Sequence, residues 1–210
     1  MNKVYRWALT ALLAILSCGC GKVGDARVRE DFNDDWKFSL GDIAGAEDPA
    51  FDDSGWRELE LPHDWAVEGD FSIENPSGTG GGALPGGIGW YRKTFNAPAD
   101  ESDKVWRLEF DGVYMNSEVF VNGVSLGVRP YGYISFGYDI SKYLHWGEEN
   151  VVAVRVDNAE QPNSRWYSGC GIYRNVWMLK TGRTRVEPYG VYVIPKMTYL
   201  PDPKTGGMGS

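Results

Sequence analysis

Three neighbouring residues, Arg165, Trp166 and Tyr167, set a planar guanidinium beside two aromatic rings. That combination suits a sugar, whose C–H groups stack on a π-face and whose hydroxyls accept from a guanidinium fork. The three lie in the run Asn163-Ser164-Arg165-Trp166-Tyr167-Ser168-Gly169-Cys170-Gly171-Ile172-Tyr173-Arg174-Asn175-Val176, which is polar and Gly-broken at its start and strand-like at its end. Gly169 and Gly171 bracket Cys170, so the backbone there can bend sharply or take positive φ and present the cluster as one face. The same spacing is open to a plainer reading: a structural corner, with Trp166 in the core and Arg165 in a surface ion pair.

Other residues point away from common catalytic devices. The chain has two histidines, His63 and His145, and no cysteine in range of either, so no zinc site is expected and His63 reads as a core or turn residue. Gly86-Gly87 is followed by no Lys or Ser/Thr at P-loop spacing and opens no helix, so it is no phosphate cradle. No metal and no cofactor are expected.

The elements that must position the corner are strands. Residues 158–162 read as a turn, because Asn and Pro interrupt a ladder, and 173–180 as a strand. Residues 32–38 form a first edge strand with Trp36 and Phe38 on one side; 41–54 is an acidic surface loop; 56–61 is a strand ending at Pro62. Residues 71–89 hold seven glycines and must be a long loop, functional or mobile. Residues 90–95 and 105–110 are strands, the second with Trp106, Leu108 and Phe110 on one face. Asn122-Gly123 between 117–121 and 124–128 signals a type I′ hairpin. Residues 131–139 alternate aromatics with glycines, and 150–156 is a further strand. No stretch keeps a helical period, so the fold class is all-β, a jelly-roll β-sandwich. Among the 9 Trp, Trp36, Trp106 and Trp177 are assigned to its core.

Residues 1–20 stand apart as a lipoprotein signal peptide with its acylation site. Lys3 and Arg6 form a basic start, residues 7–16 an apolar segment too short to span a bilayer. Ile15-Leu16-Ser17-Cys18 resembles a bacterial lipobox with Cys18 as the acylated residue. Cys20 fits less well, because Ser17 would then stand where an aliphatic side chain is wanted; an ordinary cleaved signal is the alternative. Two acyl chains would give a stable membrane anchor in the envelope of a Gram-negative bacterium, on the periplasmic or outer-membrane side. Residues 21–27 form a tether. The formal charge of −8 becomes −10 once residues 1–17 take Lys3 and Arg6 with them, which argues against a nucleic-acid partner. Cys170 is left as a lone thiol outside the targeting segment, with no internal disulfide to make.

The run Arg165-Trp166-Tyr167-Ser168-Gly169-Cys170-Gly171-Ile172-Tyr173-Arg174-Asn175-Val176 resembles a signature of the N-terminal sugar-binding domain of glycoside hydrolase family 2, the β-galactosidase and β-glucuronidase group. Three segments match in order before it: Leu61-Pro62-His63-Asp64-Trp65, Gly89-Trp90-Tyr91-Arg92-Lys93-Thr94-Phe95, and Phe110-Asp111-Gly112-Val113 leading to Val121-Asn122-Gly123. The likeness covers about residues 28–195, and the Gly-rich loop leans to the β-galactosidase branch. It implies a galactose-binding-like sandwich over residues 28–182. It also implies that 183–210, with a strand at 189–194, opens an Ig-like domain stopping short at Ser210. The family's catalytic carboxylates lie on a later (β/α)8 barrel, the acid/base in an Asn-Glu dipeptide; this sequence has no such dipeptide and is not expected to hydrolyse a glycoside by that mechanism alone.

The resemblance further implies that Arg165 donates to the hydroxyls of a terminal β-galactoside or related glycoside and that Trp166 shapes the wall, and Asp64 is taken as a third substrate-binding candidate. Asp64 also fits a loop carboxylate bonding backbone N–H groups. Some remaining aromatics should face the Ig-like and barrel domains. Three function classes are in play: the sugar-binding portion of a β-galactosidase-like hydrolase, a stand-alone carbohydrate-binding lipoprotein, and a structural sandwich.

Overall fold

The computed structural model describes residues 27–196, so the signal segment with Cys18 and Cys20, most of the tether and residues 197–210 lie outside the described residues. Ten strands form two antiparallel sheets: β1 (Val28–Asp31), β2 (Trp36–Leu40), β3 (Arg57–Leu59), β4 (Gly87–Ala97), β5 (Val105–Phe110), β6 (Ser117–Val121), β7 (Val124–Arg129), β8 (Phe136–Asp139), β9 (Glu148–Asn158) and β10 (Val176–Thr181). One sheet runs β1-β10-β5-β8 and the other β3-β2-β4-β9-β6-β7. The arrangement is the expected jelly-roll sandwich, and its helical content among the described residues is three short 3-10 turns.

Alternation produces the core. On β5, Trp106, Leu108 and Phe110 point inward, while Arg107 and Glu109 pair outside at 3.1 Å. On β9, Val152, Val154 and Val156 are fully buried against Trp36, Tyr91 and Leu108 of the same cluster. The opposite face of β4 and β9 is covered as well: Trp90, Ala153 and Phe120 form a second, smaller cluster with Ala46. The acidic loop after β2 is therefore more than surface. Arg92, 2% exposed, reaches into it to bond Asp53 at 2.8 Å and the carbonyl of Asp48 at 3.0 Å.

The hairpin turn is as expected, with Asn122 at φ 48° and Gly123 at φ 79°, both positive as a type I′ turn requires. Two side-chain amides, the buried Asn150 and the half-buried Asn122, tie that turn to the start of β9. Asn122 Nδ2 donates to Asn150 Oδ1 at 2.8 Å, and Asn122 Oδ1 accepts from Val151 N–H at 2.9 Å. Asn150 also accepts from His145 N–H and donates to the carbonyls of His145 and Glu148.

Four sequence expectations need correction. Residues 32–35 turn the chain between β1 and β2 rather than extending one strand. β10 begins at Val176, not Tyr173. Trp177 lies on the outer face of β10, under the Arg29 guanidinium at 3.9 Å, because alternation puts Val176 and Met178 inside. Residues 189–194 form no strand among the described residues; Tyr189, Val191, Tyr192, Val193 and Ile194 are exposed, with no neighbouring strand to complete a ladder.

Asn150 is fully buried, with both ends of its amide bonded. Asn150→Ala leaves the His145 N–H without its side-chain acceptor and removes one of the two acceptors of the Asn122 amide, which keeps the Tyr143 carbonyl, and should cost about 2–3 kcal/mol in urea unfolding at unchanged m-value.

Candidate functional site

The corner is the connection from β9 to β10. Asn158 ends β9 buried and holds the connection from beneath. Its Nδ2 donates to the carbonyl of Gly169 at 3.1 Å and to Cys170 Sγ at 2.9 Å, and its Oδ1 accepts from Gln161 and Asn163. Residues 170–172 then pass as a rung between two other segments. His63 N–H donates to Ile172 O at 2.8 Å and Trp65 N–H to Cys170 O at 3.2 Å; Tyr114 and Gly171 exchange a bond pair at 2.9 and 3.0 Å. Gly171 sits at φ +112°, where a Cβ would fall 2.2 Å from Tyr91 Oη and 2.9 Å from His63 O, so only glycine fits.

Asp64 joins the two loops. Oδ1 accepts from Ala66 N–H at 3.0 Å and Cys170 N–H at 2.9 Å, and Oδ2 accepts the Tyr167 hydroxyl. The loop-carboxylate reading of Asp64 thus describes its bonds in this structure, and its place is underneath the corner rather than on its outer surface. Tyr167 is held protonated, its pKa pushed up by burial and by the bond to Asp64. Cys170 is buried and its thiol is pushed up to about 12 by desolvation, so it is no nucleophile at neutral pH.

Above this base stand the predicted residues. Arg165 and Trp166 are both exposed, Trp166 at 61%, so the plainer reading that put Trp166 in the core is set aside. Trp166 is nonetheless fixed: Nε1 donates to Tyr133 Oη at 3.1 Å, while its N–H and carbonyl both bond Ser164 Oγ. The Gly-rich loop leans on the same corner, with Gly80 beside the Arg165 backbone and Gly82 beside the Tyr167 ring. That loop is folded on itself through Ser72 N–H to Ala83 O at 2.9 Å and Ser77 Oγ to Leu84 O at 2.7 Å.

The corner is a wall and not a pocket. Its crevice, between Leu84, Asn158, Tyr167 and Cys170, measures about 20 Å³, room for roughly a single water molecule. A wider groove of about 450 Å³ crosses β2, β3 and β4, lined by Asp35, Lys37, Glu58 and Lys93, but no aromatic ring lines it for a sugar to stack on. Among the described residues no cluster of His, Cys, Asp and Glu is able to hold a metal ion. Sequence reasoning missed Asn158, Tyr114 and Tyr133, which support the corner. An Asn at a strand end and a Tyr-Gly-Tyr run were the available signals.

His63 is the buried histidine the sequence suggested. Its Nε2 lies 2.7 Å from an Arg57 nitrogen that can only donate, so Nε2 accepts; Nδ1 then carries the proton and donates to Tyr91 Oη at 2.7 Å. Burial lowers its pKa, and Glu68 only partly opposes this.

Comparison with known proteins follows the same outline. The family model for the sugar binding domain of glycosyl hydrolases family 2 matches residues 82–182, which include β4 to β10 and the whole corner. The chain is 68% identical over 177 residues to beta-galactosidase BoGH2A of Bacteroides ovatus, covering 84% of this chain and 21% of that protein. It is 45% identical over 185 residues to a putative beta-glucuronidase of Formosa agariphila, covering 88% and 18%. A crystal structure of a beta-glycosidase from Bacteroides vulgatus superposes with a TM-score of 0.74 at 47% identity, over 77% of this chain and 21% of that one. The chain thus spans about a fifth of the length of these curated relatives.

The neutral His63 gives a pH prediction. A histidine with its folded pKa depressed below 6.5 stabilises the fold above that value and loses the contribution as pH falls. Melting temperature should therefore drop on acidification from 6.5 towards about 5. His63→Gln should be less stable at pH 7.5 but flatter across that window. An equal slope in both proteins would remove His63 as the cause.

Proposed function

The chain carries the sugar-binding domain of the family 2 glycosyl hydrolases, and we propose that its 163–170 corner forms one wall of a pocket for a terminal β-galactoside or related glycoside. Arg165 donates to the sugar hydroxyls, and Trp166 presents its face to the ring. Asp64 acts from below, holding Tyr167 and the Cys170 backbone so that the wall keeps its shape. The observation that carries this reading is the exposure of Arg165 and Trp166 on a loop whose base is fully hydrogen-bonded.

Catalysis belongs to other polypeptide in this reading. Retaining hydrolysis needs two carboxyl groups about 5 Å apart, the sequence has no Asn-Glu dipeptide, and the Asp64 oxygens are occupied by three donors. Further domains, an Ig-like one and a (β/α)8 barrel, complete the pocket and supply the acid/base and nucleophile. The small crevice favours this arrangement over a stand-alone carbohydrate-binding lipoprotein, because an open wall encloses no sugar. The protein would work in carbohydrate metabolism at the cell envelope, tethered through acylated Cys18.

Two measurements test these statements. In saturation-transfer NMR, methyl β-galactoside should receive magnetisation from the chain, and Arg165→Ala should weaken that contact about tenfold, the loss of one charge-assisted hydrogen bond. No transfer to any pyranoside would overturn the wall, and binding tighter than about 1 mM by the chain alone would favour the stand-alone lipoprotein instead. Separately, labelled palmitate should be incorporated in a bacterial host and lost in Cys18→Ala but retained in Cys20→Ala; incorporation unaffected by Cys18→Ala rejects that anchor.

A further inference from the structure

Trp166 does not stand alone on its surface. Its indole N–H ends on Tyr133, and the Tyr133 ring lies 5.8 Å from Tyr131 and 5.3 Å from Tyr114. Trp166, Tyr133 and Tyr131 are 61%, 43% and 58% exposed and form an aromatic strip in which the two tyrosine rings meet edge to face at 66°. Exposed rings of this size forgo the burial that usually stabilises them, so what holds them in place is informative. Tyr114 is buried beneath the strip, and Gly132 is packed on it so closely that a Cβ would fall 2.2 Å from the Tyr114 ring. Tyr173 Oη donates to the Gly132 carbonyl at 2.8 Å, fixing the loop from the side of β10. Tyr114 Oη in turn bonds Asn163, so one set of contacts holds both ends of the strip.

We infer that this strip is a second stacking surface, which binds the sugar unit next to the terminal one in an oligosaccharide. The inference rests on the reading of Arg165 and Trp166 as the wall for the terminal sugar, and extends it along the chain of the ligand. Alternating phenol rings and hydroxyls on a pre-formed surface suit pyranose rings, which offer C–H faces rimmed by hydroxyls. The occupant is a neutral oligosaccharide, because the strip carries phenols and an indole but no charged side chain of its own.

The test compares methyl β-galactoside with a β-linked galactotrioside on the same full chain, by saturation-transfer NMR and tryptophan fluorescence. The trioside should bind about five-fold more tightly, the gain expected from one further aromatic contact. Tyr131→Ala, at an exposed position, should erase that advantage and leave monosaccharide affinity unchanged, whereas Arg165→Ala should weaken both ligands. Tyr133→Phe should weaken both ligands, since it removes the acceptor that fixes Trp166. If Tyr131→Ala leaves the trioside unaffected while Arg165→Ala weakens both, the inference fails and the terminal-sugar wall stands. If neither ligand depends on Arg165 or Trp166, both fail. A concentration-dependent dimer abolished by Tyr131→Ala, with saccharide affinity unchanged, would assign the strip to a second copy of the chain and overturn the inference.

Discussion

Close approach at Gly171 is the constraint on which the corner depends. The backbone of residues 170–172 threads a gap bounded by Tyr91, His63 and Trp65, in which a side chain at position 171 has no room. Because it fits, its backbone bonds run to His63 and Trp65 on one side and Tyr114 on the other. The residues of the proposed wall lie outward of that rung: Cys170 is bonded to Asp64, Asp64 to Tyr167, and Arg165 and Trp166 follow on the exposed rim. The order is from rigid to accessible. A sheet-like crossing fixes the base, and the base fixes side chains that solvent can reach.

The sandwich could be read from the sequence because alternation is a local signal. Trp106, Leu108 and Phe110 on β5, Val152, Val154 and Val156 on β9, and the Asn122-Gly123 turn each declare themselves within a few residues. Period two assigns residues to a common face, however, without saying what covers that face. Trp177 was therefore placed inside although its face lies under Arg29, and Arg92 gave no sign that residues 46–53 would enclose it. Residues 189–194 show the same limit in reverse: the composition suits a strand, yet a strand forms only where another edge satisfies its backbone.

The site was legible in part, and the division has a physical cause. Arg165 and Trp166 carry a recognisable chemistry in adjacent positions, which spacing leaves open to a structural corner and the family resemblance turns towards a sugar wall. Tyr131 and Tyr133 lie more than thirty residues earlier and join them only through folding, by the bond of Trp166 to Tyr133. Asp64 was open to two roles, and the choice required knowing that Tyr167 and Cys170 would arrive beside it. Residues that touch a ligand can thus be proposed from type, whereas residues that support them depend on long-range contacts.

One of those supports, Asn158, is a buried amide, and buried amides recur at other strand ends of this sandwich. Apolar packing is tolerant of small displacements, because it has no direction. A buried amide is not tolerant: each end must find its complement, or its desolvation goes uncompensated. Asn33 bonds Val176 at the start of β10, Asn150 secures the turn into β9, and Asn158 holds Gly169 and Cys170 where β9 ends. Each stands where a strand gives way to a connection, the places the ladders themselves leave unspecified. The exposed Trp166 is consequently aimed by polar atoms several residues away, and weakening Asn158 would disturb its direction before it disturbed the core.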